Sequence, residues 1–336
     1  MKLDKVVAGY HKKIVVRNVD LLAPCGEIIG IIGPNGGGKS TILKSINGSL
    51  SLIGGSVFLD ELDVSKALPK EISKVMSVVT TERVKPILMT CRDVVAAGRI
   101  PFTDGLGKLR EEDNAQIDRA MELMKIKELS DVAYSDVSDG QKQRTLIARA
   151  IAQDPKFLVM DEPTSYMDIR HRYELMELLK NLSGEGVTIV ASLHELELAL
   201  SYCDRLLLVY DDGHVLVKRP DEVLEEGLLK QLFDLDEDMY AKVLRSITGT
   251  KSAGGTSFFT NRNCKSFPCH DVPEEEFNCM FCYCPLYNHE DCGGSYVWND
   301  KGIKNCKNCA FPHFRDNYPK VIKKLKEKMY GQGIEE

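Results

Sequence analysis

The most informative stretch of the chain is Gly33-Pro34-Asn35-Gly36-Gly37-Gly38-Lys39-Ser40-Thr41. It matches the pattern G-x-x-x-x-G-K-[ST], with an apolar run, Glu27–Ile32, before it and a helix-like run, Thr41–Ile46, after it. This strand–loop–helix context is the one in which the pattern binds phosphate. The glycines let successive N–H groups turn inward toward phosphate oxygens, and the start of the helix adds free N–H groups. We therefore predict that Lys39 reaches the β- and γ-phosphates of a nucleotide and that Ser40 binds Mg²⁺.

Length and charge narrow the class of protein. The chain has 336 residues, which suggests two domains or one large domain with an appendage. Its net charge is -6, with 44 Lys and Arg against 50 Asp and Glu, and this balance gives no support to nucleic-acid binding. No apolar run approaches the roughly 20 residues that span a bilayer, and no signal region follows Met1. We expect a cytoplasmic protein that reaches a membrane only through a partner.

The periodicity of the chain predicts alternating strands and helices. Residues 1–32 favour short strands, with Ile14–Val16 and Val19–Leu22 as separate segments. Amphipathic patterns predict helices over Glu111–Leu129 and Thr145–Gln153, and a further helix is expected around Arg172–Leu182.

Two apolar strands end in polar side chains. The run from Phe157 to Met160 ends in Asp161-Glu162, and the run Val187–Ala191 ends in Ser192-Leu193-His194-Glu195. Continuous apolar runs of this kind are typical of strands buried in a parallel sheet. Because ligands bind at the carboxyl edge of such sheets, we expect these side chains to lie near the phosphate loop.

Together with the segment Val137-Ser138-Asp139-Gly140-Gln141 and the segment Ser165-Tyr166-Met167-Asp168, these motifs resemble the nucleotide-binding subunit of an ABC transporter. The resemblance covers roughly residues 1–250. It implies an α/β fold: a P-loop NTPase with a RecA-like core, an antiparallel β subdomain and a helical subdomain. In this family the segment at 137–141 is the signature segment, and the one at 165–168 is the D-loop.

The resemblance also implies the roles of individual residues. Glu162 would act as the general base, His194 would contact the γ-phosphate together with Lys39, and Asp161 would share Mg²⁺ with Ser40. Asp168 would be the D-loop aspartate, and ATP would be sandwiched between two copies of the chain. The nucleotide-binding residues would be Tyr10 (against adenine), Gly33, Pro34, Asn35, Gly36, Gly37, Gly38, Lys39, Ser40, Thr41 and, from the opposite copy, Ser138, Gly140 and Gln141.

Two departures from the family pattern stand out. Asp139 replaces the usual first glycine of the signature segment, so a carboxylate would lie near the γ-phosphate held by the partner copy. Slower or weaker hydrolysis would follow. The glutamine that the family has after the strand Val75–Val79 is replaced, with Thr81 and Glu82 as alternative occupants of its role.

Two stretches, Asp93–Phe102 and Ser192–Ala199, resemble the ATP-binding subunits of iron–siderophore, haem and cobalamin importers. This resemblance implies integral-membrane permease subunits as partners, contacted by the region from Thr81 to Phe102. A substrate-binding protein would be an indirect partner. The chain would then act at the cytoplasmic face of the cell membrane.

The last quarter of the chain has a different composition. We expect an ABC domain at 1–250, a linker at 251–258, and a small metal-stabilised cysteine-rich domain at 259–336 with a terminal helix. A domain this small cannot build a large hydrophobic core and needs another source of stability. In a chain expected to be cytosolic, clustered thiols favour metal binding over disulfides. Zn²⁺ and an iron–sulfur cluster both remain open. The predicted ligands are Cys264, Cys269, Cys279, Cys282, Cys284, Cys292, Cys306 and Cys309.

This tail resembles a small cysteine-rich domain that occurs alone or fused, in some cases with links to cobalamin metabolism. The main hypothesis is an importer ATPase for an iron or cobalt chelate with a regulatory or structural metal-binding tail. The alternative is a soluble ABC ATPase in metal-cofactor or iron–sulfur assembly. A third possibility makes the tail a structural zinc module that docks a partner.

Overall fold

The computed structural model describes residues 1–11, 13–80, 86, 88–104, 107–248, 286, 292–298, 304–306, 309–314, 317 and 320–325. The chain divides into two compact units, Met1–Lys242 and Val243–Glu336. The strands are β1 (Lys2–Tyr10), β2 (Lys13–Leu22), β3 (Ile28–Ile32), β4 (Gly54–Leu59), β5 (Leu62–Asp63), β6 (Met76–Val79), β7 (Phe157–Met160), β8 (Thr188–Ser192), β9 (Arg205–Val209), β10 (Val215–Lys218), β11 (Val297–Trp298) and β12 (Lys304–Asn305). The helices are α1 (Lys39–Ile46), α2 (Pro69–Val75), α3 (Cys91–Ala96), α4 (Glu111–Leu123), α5 (Asp139–Ala152), α6 (Ile169–Gly184), α7 (Leu196–Tyr202), α8 (Pro220–Glu225), α9 (Leu228–Leu232) and α10 (Glu237–Thr248).

A central sheet carries the first unit, with the strand order β10-β9-β3-β8-β7-β6. All neighbouring pairs are parallel except β10 and β9. Strand β8 lies between β3 and β7, so the segments that follow these three strands emerge side by side at one edge. Each of the three strands is fully buried, which agrees with their continuous apolar sequences.

A second, antiparallel sheet has the order β2-β1-β4-β5. Its inward-facing side chains, such as Val16 and Val57, share one hydrophobic core with Ile29, Ile31 and Ile42 of the central sheet and α1. The predicted break between Ile14–Val16 and Val19–Leu22 is wrong, because β2 is one strand that pairs with β1 through shifts in register.

Helices α3, α4 and α5 form a separate helical region. A buried ion pair joins Arg99 Nε to Asp113 Oδ1 at 2.8 Å, and Arg99 Nη1 also donates to the carbonyl of Ala152 at 3.0 Å. Helix α4 ends at Leu123 rather than at the predicted Leu129. Residues Lys127–Leu129 form a separate short 3₁₀ turn. Helix α5 starts at Asp139, well before the predicted Thr145, because Ser138 caps it.

The described part of the second unit is small. The pair β11–β12 is antiparallel, and Leu286, Cys292 and Val321 form a hydrophobic cluster. Residues 320–325 are helical, within the predicted terminal helix. Among the helices that the structure describes, none combines the length and the apolar character needed to cross a membrane.

Candidate functional site

The loop between β3 and α1 requires glycine at two positions. Gly33 has φ +153°, and a Cβ there would lie 2.3 Å from the carbonyl oxygen of Val209. Gly38 has φ +114°, and its Cβ would lie 2.8 Å from Cγ1 of Val16. A side chain at Gly33 would collide with β9 of the central sheet, and one at Gly38 would collide with β2 of the antiparallel sheet. The loop is therefore held open toward solvent, with Asn35, Gly36 and Ser40 exposed and Thr41 buried.

Lys39, the first residue of α1, lies beneath this loop. Its Nζ donates to the carbonyl oxygens of Gly33 at 2.8 Å and Pro34 at 3.0 Å, and the residue is 7% exposed. Burial lowers the pKa of Lys39, while the charges of Glu162 and Asp161 oppose that shift. The ammonium group thus lies within electrostatic range of both carboxylates, at the base of a loop shaped for an anion.

Ser192, the last residue of β8, joins the Asp161 carboxylate to the backbone of Glu162. Its Oγ donates to Asp161 Oδ1 at 2.7 Å and accepts from the backbone N–H of Glu162 at 2.8 Å. Sequence reasoning missed this role. The available signal was a polar side chain at the end of an apolar strand, but its partners become visible only when β7 and β8 are known to be neighbours.

Glu162 and His194 form a close pair. The distance from His194 Nε2 to Glu162 Oε1 is 2.7 Å, and Ser165 Oγ donates to Glu162 Oε2 at 3.3 Å. The backbone of Glu162 is left-handed, with φ +49°, a conformation that a non-glycine residue adopts only when its surroundings hold it. The bond from its N–H to Ser192 is one such restraint. A half-buried carboxylate beside an imidazole can accept a proton from water or orient it.

The signature segment forms the first turn of α5. Ser138 Oγ accepts from the N–H of Gln141 at 3.3 Å, and Gln141 Oε1 accepts from the N–H of Ser138 at 2.9 Å, which is a reciprocal capping box. Gly140 packs against the D-loop, since a Cβ there would lie 3.0 Å from the carbonyl oxygen of Tyr166. The Asp139 side chain is 47% exposed, and its carboxylate lies 4.0 Å from Lys142 Nζ.

Asp168 caps α6 and faces the same depression as the signature segment. Its carboxylate accepts from the N–H of His171 at 2.9 Å and lies 2.8 Å from His171 Nδ1. These hydrogen bonds from His171 lower the pKa of Asp168. The depression has a volume of about 410 Å³ and is lined by Ser138, Asp139, Gly140, Gln141, Arg144, Tyr166, Met167, Asp168 and His171.

The structure therefore gathers the predicted residues into two clusters. Lys39, Asp161, Glu162 and His194 meet at the phosphate loop, and Ser138, Gly140, Gln141 and Asp168 meet at the N-terminal ends of α5 and α6. Tyr10 ends β1 with its side chain exposed.

Several predicted positions lie outside the described residues. They are Thr81, Glu82, Cys264, Cys269, Cys279, Cys282 and Cys284. The described cysteines of the tail are Cys292, Cys306 and Cys309, and a turn joins the N–H of Cys309 to the carbonyl of Cys306 at 3.0 Å. Within the part of the chain that the structure describes, no three Cys, His, Asp or Glu side chains converge on one metal position.

Comparison with known proteins identifies the family. The ABC transporter family model matches residues 16–165. An uncharacterised ABC transporter ATP-binding protein of Methanocaldococcus jannaschii is 40% identical over 245 residues, which cover 73% of this chain and 84% of that protein. The chain belongs to the ABC transporter ATP-binding family. As a member it is an ATP-binding subunit that hydrolyses ATP.

Further matches agree with this ABC assignment. The iron(3+)-hydroxamate import ATP-binding protein FhuC of Bacillus subtilis is 32% identical over 240 residues, covering 71% of this chain and 89% of FhuC. A solved dimeric bacterial ABC transporter cassette is 27% identical, with a TM-score of 0.59 over 65% of this chain and 98% of the cassette. A family model described as a cysteine-rich small domain matches residues 256–332, so the ABC domain is followed by a cysteine-rich domain.

Proposed function

We propose that this ABC subunit hydrolyses ATP to energise the import of an iron chelate, or of a cobalt chelate such as a corrinoid. The single observation that carries the proposal is the similarity to FhuC, a protein named for iron(3+)-hydroxamate import, over nearly nine-tenths of its length. The support for iron is stronger than that for cobalt. Asp93–Phe102 and Ser192–Ala199 resemble iron–siderophore, haem and cobalamin importer subunits alike, and only the tail favours a corrinoid in particular.

On this proposal, the chain's own residues prepare the γ-phosphate for attack by water. The backbone N–H groups of the loop and the Lys39 ammonium hold the phosphates, and Glu162 orients the attacking water and accepts its proton. His194, which lies 2.7 Å from Glu162, donates to the γ-phosphate. Phosphoryl transfer depends mainly on this kind of positioning and charge neutralisation.

The oxygen atoms of Ser40 and Asp161 suit a hard cation such as Mg²⁺. When bound, this ion would neutralise charge on the β- and γ-phosphates. The chain itself holds the Asp161 carboxylate in position for the metal, because Ser192 Oγ donates to Asp161 Oδ1 at 2.7 Å.

We also propose that a second copy completes the site. The capped N-terminus of α5, with Ser138, Gly140 and Gln141, would face the ATP held by the opposite phosphate loop, and Asp168 would lie at the contact between copies. This arrangement is supported by the exposure of Ser138 in the single chain and by the dimeric state of the related cassette. ATP would then favour the closed pair, and hydrolysis would release it.

Integral-membrane permease subunits are the proposed partners, at the cytoplasmic face of the membrane, with a substrate-binding protein engaged indirectly. Support comes from two exposed apolar side chains in the region expected to meet the permease: Leu88 is 96% exposed and Ile100 is 64% exposed.

For the cysteine-rich domain we propose a bound metal, either Zn²⁺ or an iron–sulfur cluster, with a regulatory or structural role. The proposal is supported by the clustering of cysteines and by the match to a cysteine-rich family model. The two metals are separable by absorption spectroscopy and elemental analysis of the intact protein, because only the iron–sulfur cluster absorbs strongly in the visible range.

The experiment that tests the function is affinity purification of the full chain from detergent-solubilised membranes of its source organism. We expect a polytopic permease to co-purify and to stimulate ATP hydrolysis in proteoliposomes. Recovery from the soluble fraction with cofactor-assembly proteins, and without a permease, would overturn the import proposal in favour of the alternative. An Ile100→Asp variant provides the matched control, since it should lose the permease while retaining basal ATPase activity.

A further inference from the structure

The residue after His194 has both carboxylate oxygens engaged. Glu195 Oε2 accepts from Thr164 Oγ1 at 2.8 Å, and Glu195 Oε1 pairs with Arg172 Nη1 at 2.9 Å. The Glu195 side chain is only 18% exposed and Thr164 is buried. Charge-assisted bonds in such a shielded place are stronger and more directional than ion pairs on the surface.

Arg172 extends this contact to the D-loop. Its Nε donates to the carbonyl oxygen of Met167 at 2.9 Å, while its Nη1 holds Glu195. Met167 is buried and follows Tyr166, whose φ of +63° is unusual for a non-glycine residue. A backbone in that conformation needs its neighbours to hold it. The guanidinium group is therefore a direct restraint on the D-loop.

The backbone of Glu195 is adjacent to the pair formed by His194 and Glu162. The carbonyl of Glu195 accepts from the N–H groups of Leu198 and Ala199, both at 3.1 Å, so Glu195 is anchored to the first turn of α7. His194 precedes it by one peptide bond and lies 2.7 Å from Glu162. The bonds of the Glu195 side chain to Thr164 and of its carbonyl to α7 therefore restrain the backbone next to His194.

We propose that Glu195 is a positioning residue that holds His194 against the reaction centre and, through Arg172, fixes the D-loop backbone at Met167. This inference rests on the proposed roles of Glu162 and His194 in ATP hydrolysis. Glu195 acts by setting the geometry of His194 and by joining that residue to the D-loop.

The test is the Glu195→Gln variant of the full chain, which keeps the side-chain size and one acceptor but removes the charge that pairs with Arg172. We expect kcat for ATP to fall roughly tenfold, because small displacements at a reaction centre have effects of this order. The affinity for a fluorescent ATP analogue and the melting temperature should change little. Glu197→Gln, an exposed carboxylate on the same helix, is the matched control and should leave kcat unchanged.

A second variant tests the route through Arg172. Arg172→Lys should lower kcat by a similar factor, and the double variant with Glu195→Gln should be no slower than either single variant, since both break one connection. A double variant whose fall in kcat equals the product of the two single falls would overturn the proposal. So would a Glu195→Gln variant that matches Glu197→Gln, or one whose nucleotide affinity and melting temperature fall together with kcat.

Failure of this proposal is distinguishable from failure of the proposed hydrolysis site. If Glu162→Gln loses ATPase activity and Glu195→Gln does not, only the positioning role is wrong. If Glu162→Gln retains the wild-type rate, the assignment of the reaction centre is wrong and the role of Glu195 falls with it.

Discussion

Replacing Ser192 with alanine removes the hydroxyl that joins Asp161 to the backbone of Glu162. The hydroxyl makes two hydrogen bonds, one to a carboxylate at 2.7 Å and one to a backbone N–H at 2.8 Å. A hydrogen bond to a charged group contributes about 1.5–3 kcal/mol, and a neutral one contributes about 1 kcal/mol. Because both partners are only half-buried, water replaces part of each bond. We therefore expect Ser192→Ala to lower the free energy of unfolding by about 2 kcal/mol.

The assay compares Ser192→Ala with Ser183→Ala, another buried serine, whose Oγ donates to the carbonyl of Gly26 at 2.6 Å away from the reaction centre. For a domain of this size, 2 kcal/mol corresponds to a fall of about 4–8 °C in melting temperature. Ser192→Ala should also lower kcat by roughly 10–100-fold, since it frees the Asp161 carboxylate and the backbone of Glu162. Ser183→Ala should lose about 1 kcal/mol and keep its kcat. If the two variants have the same kcat, Ser192 does not hold Asp161 and Glu162 in the position that hydrolysis needs.

Three further substitutions test the site. Glu162→Gln should reduce ATP hydrolysis at least 100-fold and trap an ATP-bound dimer, measured by phosphate release and light scattering; a monomer that hydrolyses ATP at the normal rate would contradict this. Asp139→Gly should raise the ATPase rate several-fold by removing a carboxylate near the partner's γ-phosphate, whereas Asp139→Glu should not, and equal rates in both would count against that repulsion. Tyr10→Ala should weaken binding of an ATP analogue about tenfold and Tyr10→Phe should not, as judged by titration, because stacking needs only the ring; a loss in both variants would exclude stacking.

The phosphate loop and the carboxylates could be predicted because their chemistry is local in sequence. The glycine spacing between Gly33 and Gly38 determines the loop, and apolar strands that end in Asp161 and in Ser192 place polar groups at one edge of a parallel sheet. The start of α5 could also be predicted, since Ser138 followed three residues later by Gln141 is a capping-box pattern. Hydrophobic periodicity alone starts the helix at Thr145, whereas the segment Ser138–Gln141, which also suits a helix cap, places its start at Asp139.

The contacts made by Ser192 and Glu195 could not be predicted in the same way. Ser192 meets Asp161 across 31 positions of sequence, and Glu195 meets Thr164 across the same separation. Both contacts depend on β7 and β8 being neighbours in register, with Met160 opposite Ala191. Strand order is a property of the folded sheet, and periodicity in a single strand carries no information about it. The hydroxyl and carboxylate partners therefore emerge only from the three-dimensional arrangement.

The most direct test of ATP-driven chelate import is uptake of an iron-55-labelled ferric hydroxamate by cells of the source organism. Three strains are compared: one with the wild-type gene, one with the gene deleted, and one that carries Glu162→Gln at the native locus. Labelled cobalamin is measured in parallel as the cobalt-chelate substrate. We predict that uptake of at least one chelate is lost in both altered strains, although the Glu162→Gln protein is still made. Uptake of both chelates at wild-type rates in the Glu162→Gln strain would contradict the claim that hydrolysis at this site drives import.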